Sequence, residues 1–139
     1  MFWPTYSDGT LILAGDWIRV YVPRFGVWHH GIVQLLHWTQ NGIAVQIVHN
    51  DKSSGVSPID WHAFADGNII LLHKRLWPQQ AQEVVNRATA NIGKRYNLFA
   101  QNCEHFASFA FTGNAKSESI SALGAIAAFA LLLGIISAD

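Results

Sequence analysis

Asn102-Cys103-Glu104-His105-Phe106-Ala107-Ser108-Phe109-Ala110-Phe111-Thr112-Gly113 (NCEHFASFAFTG) is the stretch on which the fold depends. Asn102 is a strong helix N-cap type, because its short side chain can accept from the free amides of a first turn. Gly113 suits the left-handed residue that closes a helix. The spacing therefore predicts a helix over 103–112, with Cys103 in its first turn. A thiol there meets the positive end of the helix dipole and unpaired N–H groups. Both favour the thiolate, the form that acts as nucleophile. Phe106, Ala107 and Ala110 share the helical face of Cys103, so the thiol should look toward the rest of the fold.

Upstream, Pro78 suits a first helical turn. Ala81, Val84, Val85, Ala88 and Ile92 then recur at helical spacing over Gln79–Ile92, and Gly93 ends the run. Before that the pattern changes to short β-branched and aromatic segments. Asp16–Val22, Trp28–Leu36, Ile43–His49 and Asn68–His73 read as strands. Asn41-Gly42 is the strongest turn signal between the second and third. Asn50–Pro58 is polar and reads as a loop. The expected class is α+β, a small antiparallel β-sheet packed against helices, with the thiol at a helix N-terminus.

The bulk numbers narrow the function. The chain has 139 residues, half of them hydrophobic, which suits one compact domain with a core. Formal net charge is zero, so the basic face expected of a nucleic-acid binder is lacking. A single cysteine cannot form an intramolecular disulfide, and it confines thiol chemistry to one position. Residues 1–10 lack the basic and apolar regions of a secretory signal. No His-x-x-x-His pair lies on a helix, so no metal site is expected, and no cofactor is called for.

Residues from about Gly15 to Lys116 resemble the lecithin:retinol acyltransferase-like family, the H-box/NC proteins. Gly15-Asp16-Trp17-Ile18 resembles the opening strand. His29-His30-Gly31-Ile32 resembles the H-box, and Ile47-Val48-His49 the second histidine strand. Tyr96-Asn97-Leu98-Phe99, followed by Asn102-Cys103-Glu104-His105-Phe106, resembles the NC box, the most specific of these motifs. The family is a permuted relative of papain-like and NlpC-type cysteine peptidases, and its members move acyl groups through a thioester. The resemblance implies Cys103 as nucleophile, His29 as general base and His49 as the residue that orients His29. Asn102, Glu104 and Tyr96 are candidates for oxyanion binding or positioning. For Asn102 a helix cap is the simpler role, for Glu104 first-turn hydrogen bonding, and packing competes for Tyr96. The chain departs from the family in one place: Gln34 to Gly42 lengthens the segment between His29 and His49.

Strand geometry constrains the trio. His29 and His30 point to opposite faces, so they should not both reach one thiol. His37 shares the face of His29 but lies about 26 Å away. A two-residue turn at Asn41-Gly42 would set His49 opposite Gln34, too far from His29. The trio therefore requires a wider loop or a register-shifting bulge. His30, His62 and His73 are expected to be structural.

Residues 119–138 carry no charge and are mostly apolar, near the lower limit of roughly 17–20 residues for a bilayer span. The chain thus divides into a thiol-enzyme domain over 1–116 and an apolar helix over 117–139. That helix would be either a membrane anchor or a segment packed against protein. An anchor places a cytoplasmic catalytic domain at a membrane, next to acyl-lipid substrates; without it the domain is soluble. Two other functions remain: an NlpC-type peptidase or amidase, and a non-catalytic interaction module that keeps the fold.

Overall fold

The computed structural model describes residues 3–95 and 102–114. Eight elements follow in order: β1 (Trp17–Val22), β2 (Val27–Thr39), β3 (Gly42–Asp51), β4 (Gly55–Asp60), α1 (Trp61–Ala65), β5 (Ile70–Lys74), α2 (Pro78–Ala90) and α3 (Cys103–Thr112). The strands form one antiparallel sheet in the order β4-β3-β2-β1-β5. The expected α+β class is the observed one. Two elements were not expected. β4 falls in the segment read as loop, because Ser, Pro and Asp hide an edge strand, where Pro58 is tolerated. α1 is only five residues long; Asp60 caps it by accepting from the amides of His62 and Ala63.

Alternation along the strands divides the core between the two faces. On one face Trp17, Ile32, Val48 and Val56 meet Val84 and Ala88 of α2 and Phe106, Ala107 and Ala110 of α3. On the other, Ile18, Val20, Val33 and Ile47 meet Phe64 of α1 and Tyr6 and Ile12 of the N-terminal segment. Arg87 ties the helices together: its Nε donates to the Ala110 carbonyl at 2.8 Å and its Nη2 to that of Phe111 at 3.2 Å. A cation at that end complements the helix dipole.

Gly15-Asp16 locks the start of β1. Asp16 is buried; it accepts from Tyr6 Oη at 2.7 Å and from Arg75 Nε and Nη2, both at 2.7 Å. A Cβ on Gly15 would fall 2.7 Å from Ala81 Cβ of α2, and its φ of +92° favours glycine.

The β2–β3 hairpin sets the site. Its two-residue loop is Gln40-Asn41, with Thr39 paired to Gly42, one position earlier than the expected Asn41-Gly42 turn. From there Leu35 pairs with Gln46, but Val33 pairs with Ile47, so Gln34 is a bulge. Without it, His49 would face Ile32 and share the α2/α3 side. With it, His49 faces Gly31, and the rest of β3 exchanges faces, because side chains alternate with a period of two. The register shift that the trio requires therefore comes from one inserted residue, not from a wide loop.

Pairing of β3 with β2 stops at Gly31–His49, while β3 continues along β4 to Asp51–Gly55 and β2 continues along β1 to Val27. Among the described residues, 27–30 of β2 thus have no strand beside them on the β3 side. The start of α3 occupies that place.

Candidate active site

Cys103 opens α3 as the sequence predicts. Asn102 is its N-cap, with Oδ1 accepting from the His105 amide at 2.7 Å, while the Asn102 carbonyl accepts from the Phe106 amide at 2.9 Å. That carbonyl also receives Asn50 Nδ2 at 3.4 Å, which ties the helix start to β3. The Cys103 Sγ lies 3.8 Å from the Trp28 carbonyl oxygen on the vacated edge of β2. The His30 amide also hydrogen-bonds the sulfur. The thiol therefore sits against the strand backbone on both sides of His29.

His29 points to the α1 face. Its Nε2 is 2.8 Å from His49 Nδ1, with the rings edge to face at 83°. Phe64 covers both imidazoles, 5.1 Å from His29 and 6.0 Å from His49 between ring centroids. Gly31 keeps this space open: a Cβ there would lie 2.7 Å from Ile47 Cγ2 and 3.0 Å from Phe64 Cε2. His29 is partly exposed, and its Nδ1 makes no hydrogen bond among the described residues.

His30 lies across the sheet from His29, under α3. Its Nδ1 accepts from Trp17 Nε1 at 2.9 Å, and its Nε2 is 4.0 Å from Glu104 Oε2. Both ring nitrogens thus face protein groups, in a bridge from β1 through β2 to the first turn of α3. The carboxylate of Glu104 is directed to this histidine. Tyr96 and the apolar run at 119–138 lie outside the described residues.

Electrostatics favour neutral partners. Burial, then the neighbouring His49, lowers the pKa of His29 to about 4, with Asp51 opposing. Burial also lowers that of His49. The Cys103 thiol moves the other way. Burial pushes it up, and amide hydrogen bonds from His30, Glu104 and Cys103 itself pull back only in part. The helix start supplies its amides, and packing against the strand edge offsets them.

Sequence reasoning missed three contributors. Phe64 left no signal, since its helix is too short to show periodicity. Trp17 holds His30, and its place directly after Gly15-Asp16 was the available clue. Asn50 is fully buried beside His49 and reaches the Asn102 carbonyl; a polar residue inside an otherwise apolar strand end was the hint. Among the described residues, no group of three His, Cys, Asp or Glu side chains is placed to hold a metal ion. No helix among them is long and apolar enough to cross a membrane.

A lone thiol at a helix start, laid on an antiparallel sheet beside a histidine pair, is the layout of a papain-like thiol-enzyme fold. The family model for lecithin retinol acyltransferase matches residues 11–116, and the chain belongs to that family. No curated protein matches the chain. Membership points to acyl transfer by a thiol enzyme.

Proposed function

We infer that the protein is a cysteine-dependent acyltransferase or acyl hydrolase that works through a thioester on Cys103, with phospholipid or another acyl ester as donor. The observation that carries this is the 2.8 Å contact between His29 Nε2 and His49 Nδ1. In this reading the proton of the pair sits on His29 Nε2 and is donated to His49 Nδ1, which leaves the lone pair of His29 Nδ1 for the thiol. Because the thiol is raised and His29 lowered, proton transfer accompanies attack rather than preceding it.

In the acylation step the Cys103 S–H proton passes to His29 Nδ1 as sulfur bonds to the acyl carbon. The amides of Cys103 and Glu104 at the start of α3 receive the oxyanion. The acyl C–O bond then breaks, and the alcohol leaves with the proton from His29. His49 accepts from the charged His29 through its Nδ1 and keeps the ring in place. Water, an alcohol or an amine takes the acyl group and restores the thiol. Asn102 positions the helix start. Glu104 and His30 position it from the other side. Residues 119–138 supply membrane attachment for the catalytic domain, a reading supported by their uncharged, apolar sequence.

Intact-mass measurement after incubation with a diacylphosphatidylcholine or a short-chain activated ester tests the proposal. An adduct of one acyl mass, absent in Cys103→Ala, is expected. An adduct that persists in Cys103→Ala overturns the assignment of the nucleophile.

A further inference from the structure

The sheet face that carries α3 is not covered to its end. Beyond the row of Arg19 and His30, the same face continues as Tyr21 and Trp28 at the β1–β2 hairpin, with Leu71 of β5 beside them. All three are substantially exposed, and Phe25 at the tip and Ile69 across from it are 69% and 65% exposed. Tyr21, Trp28, Ile69 and Leu71 line one shallow groove of about 460 Å³. Arg19 lies 4.2 Å from the Trp28 ring and Arg24 5.3 Å from that of Phe25. From Trp17 to Asn50 these two arginines are the only charged side chains. Of the acids near it, Glu104 faces His30, while Asp66, whose backbone closes α1, is exposed and directly precedes the groove residue Gly67.

We propose that the β1–β2 hairpin is a lipid-contact surface that seats the thiol site on a phospholipid interface. The proposal rests on the reading of Cys103 as an acyl-ester nucleophile and names where its substrate is met. Tyrosine and tryptophan rings prefer the headgroup level, where an apolar body and a polar edge are both satisfied. Arginine binds phosphate oxygens, and the absence of acids from Trp17 to Asn50 reduces the repulsion that would oppose them. Entry of the tip into a poorly hydrated layer is eased because the Phe25 and Gly26 N–H groups already donate to the Val22 carbonyl at 3.1 and 2.9 Å, and Pro23 has no N–H. The Trp28 carbonyl at the base of this surface touches the sulfur. An ester at the headgroup–acyl boundary would then be met by the thiol without leaving the bilayer.

The full chain with Phe25→Cys in a Cys103→Ala background, labelled with a polarity-sensitive fluorophore, reads contact directly. A second chain labelled through Asn41→Cys, at the far hairpin, is the comparison. With phosphatidylcholine vesicles, alone or with an anionic lipid, a blue shift at position 25 and none at 41 is expected. No shift at 25, or equal shifts at both positions, overturns the proposal. Arg24→Gln with Phe25→Ser in the otherwise native chain should slow acylation by vesicle lipid roughly tenfold or more and leave acylation by a monomeric short-chain ester unchanged. Equal rates on vesicle lipid overturn it too. If the native chain forms no adduct with either ester, the enzymatic reading fails, while the fluorophore still reports whether the hairpin meets lipid.

Discussion

His29 and His30 are adjacent in sequence and opposite in surroundings. Burial lowers both to a pKa of about 4. On that measure the two cannot be told apart. Their hydrogen bonds separate them. Both nitrogens of His30 face protein, Trp17 on one side and Glu104 on the other. Among the described residues, His29 has one nitrogen on His49 and one open. A perturbed pKa marks a buried imidazole; a ring nitrogen left open marks a candidate base. The same division holds for the sheet faces: the α2/α3 side holds the helix start in place, and the α1 side holds the imidazole pair.

The largest effect that could break this contrast is on chemistry. His29→Gln should slow acylation of Cys103 by roughly 10²- to 10⁴-fold, the usual range for loss of a general base, with little change in the denaturation midpoint. His30→Gln should do the reverse, shifting the midpoint and lowering the rate by far less. Single-turnover acylation with a monomeric ester, beside chemical denaturation of each variant, measures both. Equal rate losses in the two variants would end the distinction between base and brace.

Next comes pH, where the two histidines act alike. A histidine at 6.5 in the unfolded chain and about 4 in the folded one binds its proton more readily when unfolded. Stability is therefore complete above about 6.5 and falls as pH drops toward 4. For His30, Glu104 opposes the shift while His73 and Arg19 add to it. The urea midpoint should decline from pH 7 to pH 4.5, with a shallower slope in His30→Gln. The acylation rate should hold over the upper part of that window, because His29 stays neutral until pH nears 4.

Much of this was legible beforehand. The NC segment fixed α3 and its cap to the residue, since Asn102 and Gly113 are strong punctuation. The alternation of β1, β2 and β3 assigned strands and placed His29 and His30 on opposite faces. What stayed hidden was register. The bulge at Gln34 depends on how β3 packs once both faces are buried, and neither Gln34 nor its neighbours announce it. The claim that only one of the two histidines could reach the thiol also took the sulfur to approach a face. It approaches the strand edge, where β2 and β3 part and backbone groups on both sides of His29 touch it.

Gly31 sharpens the contrast at a smaller scale. It sits opposite His49, on the face of His29, and its missing side chain is the space that Phe64 fills. Gly31→Val would set its Cβ 2.7 Å from Ile47 Cγ2 and 3.0 Å from Phe64 Cε2, so both side chains must shift and a cost of about 1–3 kcal/mol is expected from overpacking. Displacing Phe64 would also uncover the histidine pair, so His29 should become easier to protonate. Histidine titration by NMR would show its pKa rising toward 6.5, while that of His30, across the sheet, stays low. A rise at both positions would mean that the two faces are not independent.

The smallest effect separates the cap from the chemistry. Asn102 holds α3 by accepting the His105 amide at 2.7 Å, and its carbonyl anchors to Asn50. Asn102→Ala removes the side-chain acceptor and keeps the carbonyl, so about 1 kcal/mol of stability should be lost. Asn102→Ser, which can still cap, should recover most of it. If the cap matters to acylation only by positioning the helix start, the rate should recover in parallel with stability. A rate that stays low in Asn102→Ser while stability returns would instead place the amide side chain of Asn102 at the reacting carbonyl, and α3 would then contribute a side-chain donor as well as its backbone amides.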